Sequence, residues 1–179
     1  MGIGKVTKAV FLDRDGVLNH STVRDGMPYP TGLADLAIYA DAAEALARLK
    51  QAGYLLIVVT NQPDIARGTV TRATVDEINA VIGSALPVDE FVVCAHDDAA
   101  GCTCRKPKAG MVLDAAVRHA VDLNLSFLIG DRWRDVDCGA NAGVRTVLID
   151  RGYRERAPDH APDFITDSLE AAANWILQR

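Results

Sequence analysis

The sequence predicts an α/β fold, a doubly wound parallel sheet with helices on both faces. Short apolar runs alternate with helical patterns from one end of the chain to the other. The runs lack the apolar/polar alternation of a half-exposed strand, as expected when helices cover both faces of a sheet. The helical stretches between them are long enough for right-handed βαβ crossovers.

Taken in order, Lys8 to Leu12 reads as a buried strand ended by Asp13-Arg14-Asp15-Gly16. His20 to Gly32 has no periodicity and contains Gly26, Pro28, Pro30 and Gly32, so it is expected to be a loop. Asp41 to Gln51 places Ala42, Ala45, Leu46 and Leu49 at helical spacing, and Gly53 stops the helix. Leu55 to Thr60 is the clearest strand. Thr71 caps a helix running to Ser84, Glu90 to Cys94 is a strand, and Ala109 to Val121 is a helix. Phe127 to Gly130 is a strand ending at Asp131. Trp133 to Ala142 is a helix stopped by Gly143, and Arg145 to Ile149 is a strand. Asp163 to Ile165 reads as an edge strand, and Asp167-Ser168-Leu169-Glu170 as a capping box for the last helix. One domain spanning residues 1–179, with no linker and no repeat, is expected.

Composition narrows the function. The 179 residues are 49% hydrophobic and 24% charged, with a net charge of −5, so the chain can bury a core without disulfides. Lys and Arg are scattered, which disfavours nucleic acid or an anionic membrane surface as the main partner. No apolar run reaches the ~18–20 residues needed to span a bilayer, and Met1 to Thr7 has no signal-peptide core. A cytoplasmic, monomeric enzyme acting on a small molecule is the expectation.

Ligands of open parallel sheets bind beyond the carboxyl ends of the strands. Asp13 and Asp15 lie there after the first strand, Thr60 and Asn61 after the second, and Asp131 after the fourth. Lys106 precedes the third crossover helix. Carboxylates, a hydroxyl and an ammonium from distant sequence thus converge on one edge, a set suited to a phosphate ester and Mg²⁺. Separately, Cys94, His96, Cys102 and Cys104 provide three thiolates and an imidazole, the ligand count of a closed tetrahedral Zn²⁺ site. Zinc there would be structural, pinning the Asp97 to Gly101 loop and positioning Arg105 and Lys106. Cys138, on a helix, reads as a packed small residue.

The segment from Phe11 to Asn19 resembles the first motif of the haloacid dehalogenase superfamily of phosphohydrolases. Thr60-Asn61-Gln62, Arg105-Lys106-Pro107-Lys108 and Gly130-Asp131-Arg132 with Asp135 are similar to its second, third and fourth motifs, in the right order. The resemblance implies a Rossmann-like core with Asp13 as nucleophile and Asp15 as general acid and then base. It implies Thr60 and Lys106 as phosphate ligands, and Mg²⁺ held by Asp13, the backbone carbonyl of Asp15 and Asp131, with Asp135 behind them. One helix, one strand and their loops fill each interval between Asp13, Thr60 and Lys106, so no separate cap domain is expected.

The zinc loop with its Cys-Arg-Lys-Pro sequence resembles one branch, the D-glycero-D-manno-heptose 1,7-bisphosphate 7-phosphatases and the related histidinol-phosphate phosphatase domains. Ile65-Ala66-Arg67-Gly68 is more similar to the heptose enzymes, whereas Pro63-Asp64 and the spacing from His96 to Cys102 depart from them. The branch implies removal of the 7-phosphate from a heptose bisphosphate, with histidinol phosphate or another small phosphomonoester as the alternative. Asn61, Arg67, Arg105, Arg132 and Asn19 are the further candidates for binding substrate or phosphate. Two other classes remain open at this point. A phospho-aspartate receiver would share the sheet and its acidic edge but needs neither Asp15 nor a zinc loop. A zinc-binding interaction module would leave the carboxylates unused.

Overall fold

The computed structural model describes residues 6–29 and 32–179. Six parallel strands form the main sheet: β1 (Lys8–Leu12), β4 (Tyr54–Asn61), β5 (Glu90–Cys94), β6 (Phe127–Gly130), β7 (Arg145–Ile149) and β8 (Phe164–Thr166), in the spatial order β5-β4-β1-β6-β7-β8. Strand β1 is central, paired with β4 on one side and β6 on the other, so the order reverses direction at β1. A crevice opens at such a reversal, and Asp13 follows β1 directly into it.

Helices cover both faces, as the unbroken apolar strands require. Val10 and Leu12 of β1 point to the face covered by α1 (Ala42–Gln51), α2 (Arg72–Ala85) and α5 (Leu169–Leu177). Ala9 and Phe11 point to the opposite face, beneath α3 (Gly110–His119) and α4 (Trp133–Ala142). Cys138 is fully buried in this second core, as a packed small residue. No cap domain stands among the described residues, and no helix among them is long and apolar enough to cross a membrane.

Three expectations are corrected. The stretch from His20 to Gly32 carries an antiparallel hairpin, β2 (Thr22–Arg24) and β3 (Met27–Tyr29); Pro30 lies outside the described residues. Its turn is Asp25-Gly26, with φ of 53° and 78°, the pair of positive angles that a two-residue hairpin turn demands and Asp-Gly supplies. Strands of three residues are too short to show a period, so only the turn dipeptide could have signalled them. The last helix has half a capping box. Ser168 accepts from the Ala171 amide, but Ala171 has no side chain to reach back, and the Glu170 amide donates instead to Asp41. Helix α3 stops at His119, two residues early, where Ala120 turns left-handed and the Val121 amide closes onto Ala116.

Candidate active site

Asp13 is the first residue beyond β1, tethered by its amide to the Ile129 carbonyl of β6 at 2.9 Å. Its Oδ1 accepts from the Arg14 amide at 2.8 Å and from Lys106 Nζ at 2.8 Å. Lys106, only 2% exposed, also donates to the Val59 carbonyl at 2.8 Å and pairs with Asp135 at 2.6 Å. The ammonium thus faces one carbonyl and two carboxylates. Burial alone would discharge the ammonium, but Asp13 and Asp135 outweigh it and hold its pKa above the usual lysine range. Asn61 fixes the lysine's backbone: its amide donates to the Lys106 carbonyl at 3.0 Å and accepts from the Lys106 N–H at 3.1 Å. Expected as a phosphate ligand, Asn61 is occupied in seating Lys106.

Asp131 follows β6 and is buried, and neither of its carboxylate oxygens accepts a well-formed hydrogen bond. Burial raises its pKa well above the usual carboxylate range, and the charges of Asp13 and Asp135 add to this. Burial also pushes Asp13 up to about 6, against the lowering by Lys106 and with Asp135 and Asp15 adding to the rise. One carboxylate oxygen from each of Asp13, Asp131 and Asp135 lies within 4.8 Å of the others. Three buried carboxylates facing one ammonium leave uncompensated negative charge and unpartnered oxygens, the donor set of a hard divalent cation. Gly16, at φ 87°, lets the backbone pass this cluster; a Cβ there would overlap Asp131 Oδ2.

Asp15 turns its side chain the other way, to a ring of donors. Arg14 Nη2 bridges its two oxygens at 2.9 and 3.2 Å, Asn19 Nδ2 reaches Oδ1 at 3.0 Å, and Gln62 Nε2 reaches Oδ2 at 2.9 Å. Gln62 Nε2 also donates to Thr60 Oγ1 at 2.9 Å, and Arg14 Nη1 to Asn79 Oδ1 of α2 at 3.0 Å. Arg14 is the largest side chain to be fully buried among the described residues.

At the end of β5 the second cluster assembles. Cys94 Sγ lies 3.8 Å from Cys102 Sγ and 3.2 Å from Cys104 Sγ, and His96 Nδ1 lies 3.7 Å from Cys94 and 3.3 Å from Cys104. Ligands at the edges of a tetrahedron with Zn–S bonds of ~2.3 Å would stand ~3.8 Å apart, and all these cysteines are free thiols. Burial together with the neighbouring Cys94 and Cys102 pushes the Cys104 thiol up to about 12, a crowding that a bound divalent cation would reverse.

The HAD-hydrolase-like family pattern matches residues 103–172, which contain Lys106, Asp131 and Asp135. Over 180 residues the chain is 33% identical to the D-glycero-beta-D-manno-heptose-1,7-bisphosphate 7-phosphatase of Bordetella bronchiseptica, covering 96% of this chain and 98% of that one. It is likewise 33% identical, over 193 residues, to the D-glycero-D-manno-heptose-1,7-bisphosphate 7-phosphatase of Thermosynechococcus vestitus, covering 94% of each. The chain belongs to the haloacid dehalogenase-like phosphatases. A solved structure agrees: the D,D-heptose 1,7-bisphosphate phosphatase of B. bronchiseptica, complexed with magnesium and phosphate, superimposes with a TM-score of 0.81 at 30% identity. That match covers 97% of this chain and 99% of that one.

Of the residues expected in this phosphatase site, Asp13, Asp15, Thr60, Lys106 and Asp131 gather at the crevice, with Asp135 ion-paired to Lys106. The candidate arginines are each engaged elsewhere. Arg105 is held by Asp98 (2.9 and 3.3 Å) and the His96 carbonyl (3.3 Å), so it is tied to the loop between His96 and Cys102. Arg67 is half exposed and bonds Asp64 at 3.2 Å, Arg132 is paired with Glu155, and Asn19 serves Asp15. Sequence reasoning missed the roles of Arg14, Gln62 and Asn79. The one available signal was a lone Asn79 on the buried stripe of α2 beside Val75, Ile78 and Ile82.

Proposed function

We propose that this chain is a Mg²⁺-dependent phosphomonoesterase that removes the 7-phosphate of D-glycero-D-manno-heptose 1,7-bisphosphate through an aspartyl-phosphate on Asp13. The observation that carries this reading is the Asp13–Lys106–Asp135 chain beside the buried Asp131, set where the strand order reverses. The heptose substrate follows the names of the relatives reported above.

The chemistry follows from the residues. Lys106 holds Asp13 Oδ1, so the carboxylate faces the crevice in a fixed rotamer, and one of its oxygens attacks phosphorus in line with the departing alcohol. Asp15 gives the leaving oxygen a proton, then takes one from the water that displaces Asp13 from phosphorus. Thr60 Oγ1 accepts from Gln62, which frees the hydroxyl proton for a phosphate oxygen. Asp13, Asp131 and the Asp15 carbonyl would hold Mg²⁺, with Asp135 behind them. When bound, Mg²⁺ supplies positive charge against the phosphoryl oxygens.

In the same reading, Cys94, His96, Cys102 and Cys104 hold one structural Zn²⁺ that shapes the loop carrying Arg105 and Lys106. The enzyme works as a cytoplasmic monomer on a small phosphorylated metabolite. Arg105 would bind the second phosphate by exchanging Asp98 for it, since both present a planar acceptor pair to the guanidinium.

Phosphate release from heptose 1,7-bisphosphate, histidinol phosphate and an aryl phosphate tests the proposal. The expected outcome is highest kcat/KM on the bisphosphate, dependence on Mg²⁺, and loss of turnover in Asp13→Asn on all three. A preference for histidinol phosphate would refute the substrate, and turnover by Asp13→Asn at the wild-type rate would refute the mechanism.

A further inference from the structure

Asp15 stands at the centre of a hydrogen-bonded chain that crosses from α2 to the phosphate-binding hydroxyl: Asn79, Arg14, Asp15, Gln62 and Thr60. We infer that Gln62, with Arg14 braced by Asn79, is a positioning residue that fixes the Asp15 carboxyl beside the departing oxygen and ties it to the group that binds the phosphate. This rests on the reading of Asp15 as proton donor given above.

Two physical points support it. A fully buried arginine is expensive, and burying an ion pair in place of packed apolar side chains seldom adds stability. Arg14 sits under the first-motif loop, and its carbonyl already closes that loop by accepting from Val17, Leu18 and Asn19. The loop thus has a backbone reason to form without the guanidinium, whose contacts instead go to Asp15 and Asn79.

The second point is that both protons of one Gln62 nitrogen are used, one on Thr60 and one on Asp15, at 2.9 Å each. The Gln62 backbone is anchored separately, by its amide to the Cys94 carbonyl at 2.8 Å. Its side chain therefore sets the distance between the phosphate ligand and the acid. Arg14 and Asn19 hold the carboxylate from the remaining sides, so its orientation is over-determined; these N–H groups bond the ionised form, and Asp15 carries its proton for the acid step when one of them yields its oxygen.

In the first half-reaction, an Asp13 oxygen forms a bond to phosphorus and the phosphorus–alcohol oxygen bond breaks, while the proton of Asp15 passes to that oxygen. Water then attacks the aspartyl-phosphate, Asp15 takes its proton, and the bond from Asp13 to phosphorus breaks, regenerating both carboxyl groups and releasing phosphate. The value of kcat/KM contains only the first half. A correctly placed acid matters there when the leaving alcohol is a strong base and hardly at all when it is a stable anion.

The test compares kcat/KM for phenyl phosphate and 2,4-dinitrophenyl phosphate, which need no assumption about the sugar. Gln62→Met keeps length and volume while removing both donors. It should lose about 10- to 100-fold on phenyl phosphate, and the loss on the dinitrophenyl ester should be at least tenfold smaller. Any weakening of Thr60 acts on both esters and cancels in the ratio. Asn79→Ala, which unseats Arg14 from behind, should shift the ratio in the same direction by a smaller factor and provides the test if Gln62→Met does not fold. Asp15→Ala should be more selective still, and adding Gln62→Met to it should change the ratio no further. Equal losses on both esters in Gln62→Met and Asn79→Ala, with Asp15→Ala still selective, would overturn this inference alone. A non-selective Asp15→Ala would overturn the reading of Asp15 and the inference with it.

Discussion

Replacing Lys106 by Met removes the ammonium that is ion-paired to both Asp13 and Asp135 and leaves the surrounding apolar packing nearly intact. In the native protein its ammonium satisfies Asp13 at 2.8 Å, Asp135 at 2.6 Å and the Val59 carbonyl at 2.8 Å, all out of water. Breaking a buried pair by removing one partner costs about 3–5 kcal/mol. For a chain of this size each kcal/mol moves Tm by roughly 2–4 °C, so the variant should melt about 6–20 °C below wild type. The sign of the pH effect follows from Asp13, whose pKa is raised by burial from 3.8 to about 6. The folded state binds the extra proton between those values, so this group's contribution is fullest below 3.8 and is lost as pH rises through about 6. Without Lys106 the folded pKa rises further, so the Tm deficit should be larger at pH 8 than at pH 5.5. The assay is thermal unfolding in Mg²⁺-free buffer without chelator, followed by Mg²⁺ addition, which should recover more Tm in the variant than in wild type. A deficit under ~3 °C, unchanged between the two pH values, would refute the view that this lysine is held by uncompensated buried charge.

Other consequences are as direct. Cys104→Ser should bind less than the roughly one zinc per chain expected of the wild type, as measured by metal analysis, and should melt lower because the Asp97 to Gly101 loop loses its clamp. Gly16→Ala forces a Cβ into Asp131 at a positive φ; the left-handed backbone alone costs ~1–2 kcal/mol, and Mg²⁺ affinity, read by titrating activity, should fall. Asp98→Ala releases Arg105 from its internal carboxylate and should lower KM for a bisphosphate more than for an aryl phosphate. An unchanged ratio of the two KM values would show that Asp98 does not compete for the second phosphate.

The sequence by itself determined the six strands of the parallel sheet, the helices of the crossovers and the positions of the reactive residues at strand ends, but not the short hairpin of β2 and β3. Apolar runs and their helical intervals report local periodicity, and a parallel sheet places every strand end on one edge. It also pointed to the cluster of Cys94, His96, Cys102 and Cys104, because their close spacing nearly forces those side chains together. What it left open were partnerships between residues far apart in sequence. Arg14 reaches Asn79 across 65 positions, Gln62 reaches Asp15 across 47, and Lys106 finds Val59 across another 47. No local period encodes such pairs; they follow from β1 lying between β4 and β6 and from which face of α2 is buried. The arginines show the same limit from the other side. As sequence they were free cations near a site, and only the tertiary structure showed Arg105 taken by Asp98, Arg67 by Asp64 and Arg132 by Glu155. A charge takes the nearest geometrically suitable partner, and nearness is decided by packing.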